Sequence, residues 1–176
     1  IPFYVYVKFG KWDEILEMTN EVPELDYPQA MYHYARGMAF LGMGRIDSAK
    51  TELKSLKKIA LNKKLKEVTI WDINSVYELV QIADKVLSAE VYSKEENYTE
   101  SMALLKEAIA IEDGLNYNDP PDWFFSVRHY LGATQIASGL YRDAVQTYQE
   151  DLQKLPKNGW ALKGLALAYS NLNDPI

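Results

Sequence analysis

The 176-residue sequence contains no cysteine, so disulfide bonds and thiolate metal sites are excluded and the redox compartment is left open. A basic surplus is also missing, because 25 acidic and 19 basic side chains give a net charge of −6. Phosphate recognition needs a basic footprint, so nucleic acid is not expected as a partner. No apolar run approaches the length of a membrane span, and no membrane partner is predicted.

Common catalytic signatures are absent as well. The sequence has no G-x-S-x-G elbow, no phosphate-binding loop and no dinucleotide fingerprint. Its only histidines, His33 and His129, have no further histidine or cysteine at a metal-ligand spacing. Oxygen donors between residues 113 and 119 do not follow the calcium-loop pattern D-x-[DN]-x-[DN]-G. We therefore predict no enzyme activity, no cofactor and no metal site.

The sequence does contain a repeated turn followed by a helical pattern. Gly10 and Gly44 lie 34 residues apart, each just before an amphipathic run, and Gly139 begins a third copy. Glycine suits such a turn because it closes a helix with positive φ at no steric cost. After each turn the apolar residues recur every three or four positions, which predicts helices. With 48% apolar and 25% charged residues, the chain is typical of a single globular domain.

At these positions the sequence resembles the tetratricopeptide-repeat family, whose pattern is W-x2-L-G-x2-Y, then A-x3-F, then P. The clearest copy has Leu131-Gly132, then Ala144 and Tyr148, then Pro156. The resemblance implies an all-α fold, a right-handed superhelix of antiparallel helical hairpins with about eight helices. It predicts one domain with units at approximately 1–27, 28–60, 73–113, 122–156 and 157–174.

A narrower likeness lies in segments 121–124, 148–152 and 158–162. They are similar to the C-terminal part of a group of larger, uncharacterised bacterial tetratricopeptide-repeat proteins. This likeness implies no particular activity. The compartment stays unknown: a soluble protein is expected, in either the bacterial cytoplasm or the periplasm. The apolar opening segment 1–9 also suggests that an upstream repeat of the parent chain packs there, since terminal repeats normally carry a polar cap. Alternatively, a second copy of the chain packs against this apolar segment and forms a homodimer.

Two insertions interrupt the period, near 57–72 and 112–121. After the first, a long helix is predicted from about Asn74 to Glu95, with Ser75-x-x-Glu78 as a capping box. The second is predicted to be a loop ending at Asp122, which would cap a helix beginning at Trp123. Insertions in such folds often lie on one face, and that face is often the binding one. The lysine-rich stretch 57–66 is either a solvated helix end or a contact patch for an acidic partner.

The leading functional hypothesis is a protein-interaction scaffold that holds a partner peptide or helix in a concave groove. In the family that the sequence resembles, the first helices of successive hairpins line this groove. The candidate lining residues are Met31, Tyr34, Met38, Glu90, Lys94, Ser126, His129, Tyr130, Trp160 and Lys163, with Ala133 and Leu167 beside them.

Two alternatives stay open. The chain could be a purely structural end of a longer superhelix whose functional site lies upstream. A small-molecule or enzymatic site would instead need a deep pocket near His129, Tyr130 and Trp160.

Overall fold

The computed structural model describes residues 2–19 and 24–172. The end of the predicted last unit, at 174, lies outside this range. Nine α-helices occur in the described part of the chain, which confirms the all-α prediction. They are α1 (Pro2–Lys8), α2 (Trp12–Glu17), α3 (Asp26–Gly42), α4 (Ile46–Ala60), α5 (Val76–Lys94), α6 (Tyr98–Gly114), α7 (Val127–Ala137), α8 (Tyr141–Lys154) and α9 (Gly159–Leu172).

Each helix packs against the next one along the chain, from α1 on α2 to α8 on α9. The odd-numbered helices also contact one another in order, α1 with α3, α3 with α5, α5 with α7 and α7 with α9. A large apolar core extends from Val7 to Leu131, and a smaller one around Tyr148 joins α8 to α9. No helix in the described ranges is long and apolar enough to cross a membrane.

Four turns share one backbone geometry, and three of them carry the glycines that the sequence pattern singled out. Gly10, Gly44 and Gly139 have φ of 65°, 74° and 79°, and Glu96 has 62°. In each turn the next residue donates its N–H to a carbonyl five positions earlier, as Arg45 does to Phe40 at 2.8 Å. This is the Schellman arrangement, which satisfies carbonyls left free at a helix end. The repeated glycine turns of the sequence therefore mark the positions where helices end.

Glu96 is the one non-glycine residue at these four turns, so Glu96→Gly is expected to stabilise the protein by about 0.5–1 kcal/mol. A side chain in the left-handed region costs energy, and the gain exceeds the entropy that glycine adds to the unfolded chain. Urea denaturation of both proteins measures the difference. As a control, Gly139→Ala should destabilise by about 1 kcal/mol, and a loss of stability in Glu96→Gly would contradict this explanation.

Small residues lie where helices approach closely. A side chain added at Gly37 would overlap Leu87 of α5, and one added at Gly132 would overlap Tyr148 of α8. The ring of Tyr148 also occupies the space in front of Gly164 on α9. One aromatic ring thus packs between two glycines and joins α7, α8 and α9.

The first insertion has regular structure of its own. Residues Lys63–Glu67 form a 3-10 helix, and Thr69–Ile70 pairs with Asn74–Ser75 as a two-residue antiparallel ladder. The predicted capping box is confirmed: Ser75 Oγ accepts from the Glu78 N–H at 3.3 Å, and the Ser75 N–H donates to the Glu78 carboxylate at 3.2 Å. The reciprocal bonds satisfy two free N–H groups where α5 begins.

The second insertion differs from the prediction at both ends. Helix α6 continues to Gly114, and α7 begins only at Val127, so the connecting loop is 115–126. The prediction of Asp122 as a helix cap is wrong, because no helix starts at Trp123. Its carboxylate instead accepts from the side-chain amides of Asn74 at 2.8 Å and Asn118 at 2.9 Å. Asn74 thereby joins the two insertions, which lie far apart in the sequence.

Candidate binding site

The predicted groove residues fall into three groups that differ in solvent exposure. Five are buried in the interior: Met31, Tyr34, Met38, Ser126 and His129. Glu90 and Tyr130 are partly buried, and three side chains are exposed, namely Lys94, Trp160 and Lys163. Ala133 and Leu167 are exposed too. These five side chains contribute to the packed interior rather than to an accessible surface.

Aromatic side chains of loop 115–126 pack against two of these residues, Tyr34 and His129. Trp123 packs edge-on against Tyr4 and Tyr34, with ring centroids 5.5 Å apart in both pairs. Phe124 stacks on Tyr4 at 6.4 Å, and the Tyr34 and Tyr130 hydroxyls are 3.2 Å apart. Loop 115–126 thus forms one aromatic cluster with residues of α1, α3 and α7.

Glu90 is a partly buried carboxyl beside this aromatic cluster. Burial raises its pKa to about 7, although the nearby Lys94 ammonium lowers it. Burial also raises the pKa of Tyr130, and the negative charge of Glu90 adds to that rise. The surroundings therefore disfavour the charged form of this carboxyl near neutral pH.

His129 and Ser126 both bind one carboxylate, that of Asp151. His129 Nε2 lies 2.9 Å from Asp151 Oδ2, and Ser126 Oγ donates to Oδ1 at 2.5 Å. Burial acts to raise the Asp151 pKa, but the hydrogen bonds from His129 and Ser126 outweigh it and lower the value. The histidine bonds the carboxylate rather than the Ser126 hydroxyl, and the shared carboxylate ties α7 to α8.

A cleft of about 500 Å³ lies between loop 115–126 and the carboxyl-terminal ends of α6 and α8. Its apolar lining comes from Leu115, Tyr117, Pro121, Trp123, Phe124 and Leu155. Tyr117 is 87% exposed and Leu155 is 46% exposed, so two large apolar side chains face solvent at this cleft. Exposed apolar surface around a concave site is typical of a recognition site.

The charged wall of the cleft is organised around Asp113. Arg128 donates both terminal nitrogens to its carboxylate, at 2.8 and 2.7 Å, and Lys154 also donates to it. These partners, the Arg128 hydrogen bonds first, lower the pKa of Asp113 to about 2. Both cations of the cleft lining are thus already paired.

Glu112 supplies the helix cap that Asp122 does not. Its two carboxylate oxygens accept from the Val127 N–H at 3.3 and 3.1 Å, at the start of α7. Burial raises the pKa of Glu112 to about 7, against the lowering effects of this bond and of Arg128. Sequence patterns did not indicate this contact, because the cap comes from the preceding helix rather than from the residue before α7.

The cleft as a whole carries an acidic excess. Its lining includes two cations, Arg128 and Lys154, against five acidic side chains: Glu112, Asp113, Asp119, Asp122 and Asp151. These groups do not converge as ligands, and the described residues contain no cluster of three acidic, histidine or cysteine side chains able to hold a metal ion. A partner group that combines apolar surface with positive charge complements this lining.

Comparison of the chain with protein-family models, with curated proteins and with solved structures returns no match. Of the residues that line the cleft, Ser126 was among the predicted groove residues, and eight others lie in the second insertion, 112–121. The second insertion pointed to this cleft through the expectation that inserted loops carry binding residues.

Proposed function

We propose that the chain is a protein-interaction module of the tetratricopeptide-repeat kind, with its helical hairpins stacked as a right-handed superhelix. The four equivalent helix endings support this proposal, and so do the ordered contacts among the odd-numbered helices. In that arrangement the second insertion lies at the ends of α6 and α8 and forms a rim.

The bound partner is a protein segment, and the place is the cleft under loop 115–126. The main support for this location is Tyr117, an exposed side chain at a cleft about 500 Å³ in volume. Tyrosine offers a large contact area at a low entropy cost, which makes it a frequent centre of binding energy. The acidic excess selects a segment with an apolar side chain flanked by lysine or arginine.

A random-peptide display library tests the proposal directly. Selection on the intact chain is expected to enrich peptides with an apolar residue next to basic ones. The double substitution Tyr117→Ala and Leu155→Ala should weaken the best peptide at least tenfold, because truncating a central binding residue costs about 2 kcal/mol or more. Isothermal titration calorimetry measures the affinity.

The matched control changes the same residue classes elsewhere. Trp71 and Leu61 are exposed apolar side chains of the first insertion, outside the cleft lining. The double substitution Trp71→Ala and Leu61→Ala should leave the affinity within about twofold. Equal losses in both double variants, or no enrichment at all, would refute the cleft as the binding site.

A further inference from the structure

A lysine ammonium is surrounded by three aromatic rings at the end of α1. The Lys8 Nζ atom lies 5.0 Å from the ring centroid of Phe124. The same atom lies 5.9 Å from that of Phe125 and 5.8 Å from that of Trp160. All three distances fall within the range of cation–π attraction, in which the negative ring face draws a cation.

The three rings are held by neighbours other than Lys8. Phe124 stacks on Tyr4, and Phe125 packs edge-on against His129 at 4.9 Å and Tyr130 at 5.2 Å. Phe9 packs edge-on against Trp160 at 5.9 Å. The walls therefore have support that does not depend on the cation inside them.

Lys8 forms no ion pair within residues 2–19 and 24–172. It is the last residue of a seven-residue helix, and such short helices are marginal by themselves. Trp160 remains 40% exposed, so solvent reaches one wall of the cage.

We propose that Phe124, Phe125 and Trp160 form a binding cage for an alkylammonium group, and that Lys8 is its internal occupant. The ligand class is a lysine side chain or its methylated forms, because aromatic cages favour weakly hydrated alkylated cations. An external group must compete with a tethered one whose effective concentration is in the millimolar range. The cage is therefore closed to weak ligands until Lys8 leaves it. This inference does not rest on the proposed peptide cleft, which has different walls apart from Phe124.

The test compares wild type with Lys8→Ala, using N-acetyl-trimethyllysine methylamide as the probe. NMR titration of the Trp160 indole N–H should show at least tenfold tighter binding in the variant. The neutral analogue with carbon in place of the ammonium nitrogen should bind several-fold more weakly, because only the cation is attracted to the ring faces. Equal binding of the probe to both proteins, or equal binding of the cation and its neutral analogue, overturns the proposal.

If Lys8→Ala does not fold, a second measurement on the wild-type protein tests the cage. Reductive methylation of the wild-type lysines with a carbon-13 label places dimethylammonium reporters at every lysine. The Lys8 signal, assigned by its loss in Lys8→Arg, should be shifted upfield by the ring currents and should return to the ordinary position in Trp160→Ala. An unshifted Lys8 signal in the wild-type protein contradicts the cage.

Discussion

Replacing Trp123 with alanine is expected to lower the free energy of unfolding by about 3–5 kcal/mol, the range for a large aromatic side chain removed from a core. Trp123 is 4% exposed and packs against Tyr4 and Tyr34. The cavity left by the missing indole ring would lie between α1, α3 and loop 115–126. Urea denaturation followed by circular dichroism measures the change.

Two further substitutions separate packing from other effects. Trp71→Ala changes the same residue type at a site that is 84% exposed, and it should cost less than about 0.5 kcal/mol. Trp123→Phe should cost much less than Trp123→Ala, because the Trp123 indole nitrogen has no hydrogen-bond partner among the described residues. Similar losses in Trp71→Ala and Trp123→Ala would show that loop 115–126 does not cover the aromatic cluster in solution.

The second large effect concerns pH. The Glu112 pKa is raised from 4.5 to about 7 in the folded protein, so the folded state holds this proton more tightly than the unfolded chain does. Protonation of Glu112 therefore adds to the free energy of unfolding. This contribution is fully present below pH 4.5 and is lost as the pH rises through 7. We expect wild type to lose about 2 kcal/mol through this group between pH 5 and pH 8. Glu112→Gln should remove that loss.

Glu90 also lowers the free energy of unfolding as the pH rises, because its pKa is raised to about 7 as well. The double variant Glu112→Gln and Glu90→Gln should therefore show the flattest profile of unfolding free energy against pH. Glu100→Gln, at an exposed position on α6, serves as the control and should keep the wild-type slope. A wild-type profile that rises between pH 5 and pH 8 would contradict the burial of both carboxyls.

The helices and their turns could be predicted from local sequence. Apolar spacing predicts α4, α6 and α8, and the glycines mark where the preceding helices end. The capping box at Ser75 was readable because its two partners lie three residues apart. Such features depend on contacts within a few positions of the chain.

The cleft under loop 115–126 could not be predicted in the same way. Burial of Tyr34 depends on Trp123, and the start of α7 depends on Glu112 from another helix. These contacts bring together residues that no spacing rule relates. The groove prediction used helix spacing alone, and that spacing does not reveal that Trp123 and Phe124 of loop 115–126 pack on Tyr4 of α1.

The most direct test of the account is NMR mapping of the selected peptide on the isotope-labelled chain. We expect the amide shifts to concentrate at loop 115–126, at Glu112 and Asp113, and at the end of α8. Shifts confined instead to Lys94, Lys163 and Leu167 would place the partner on the exposed part of the predicted groove and contradict the cleft.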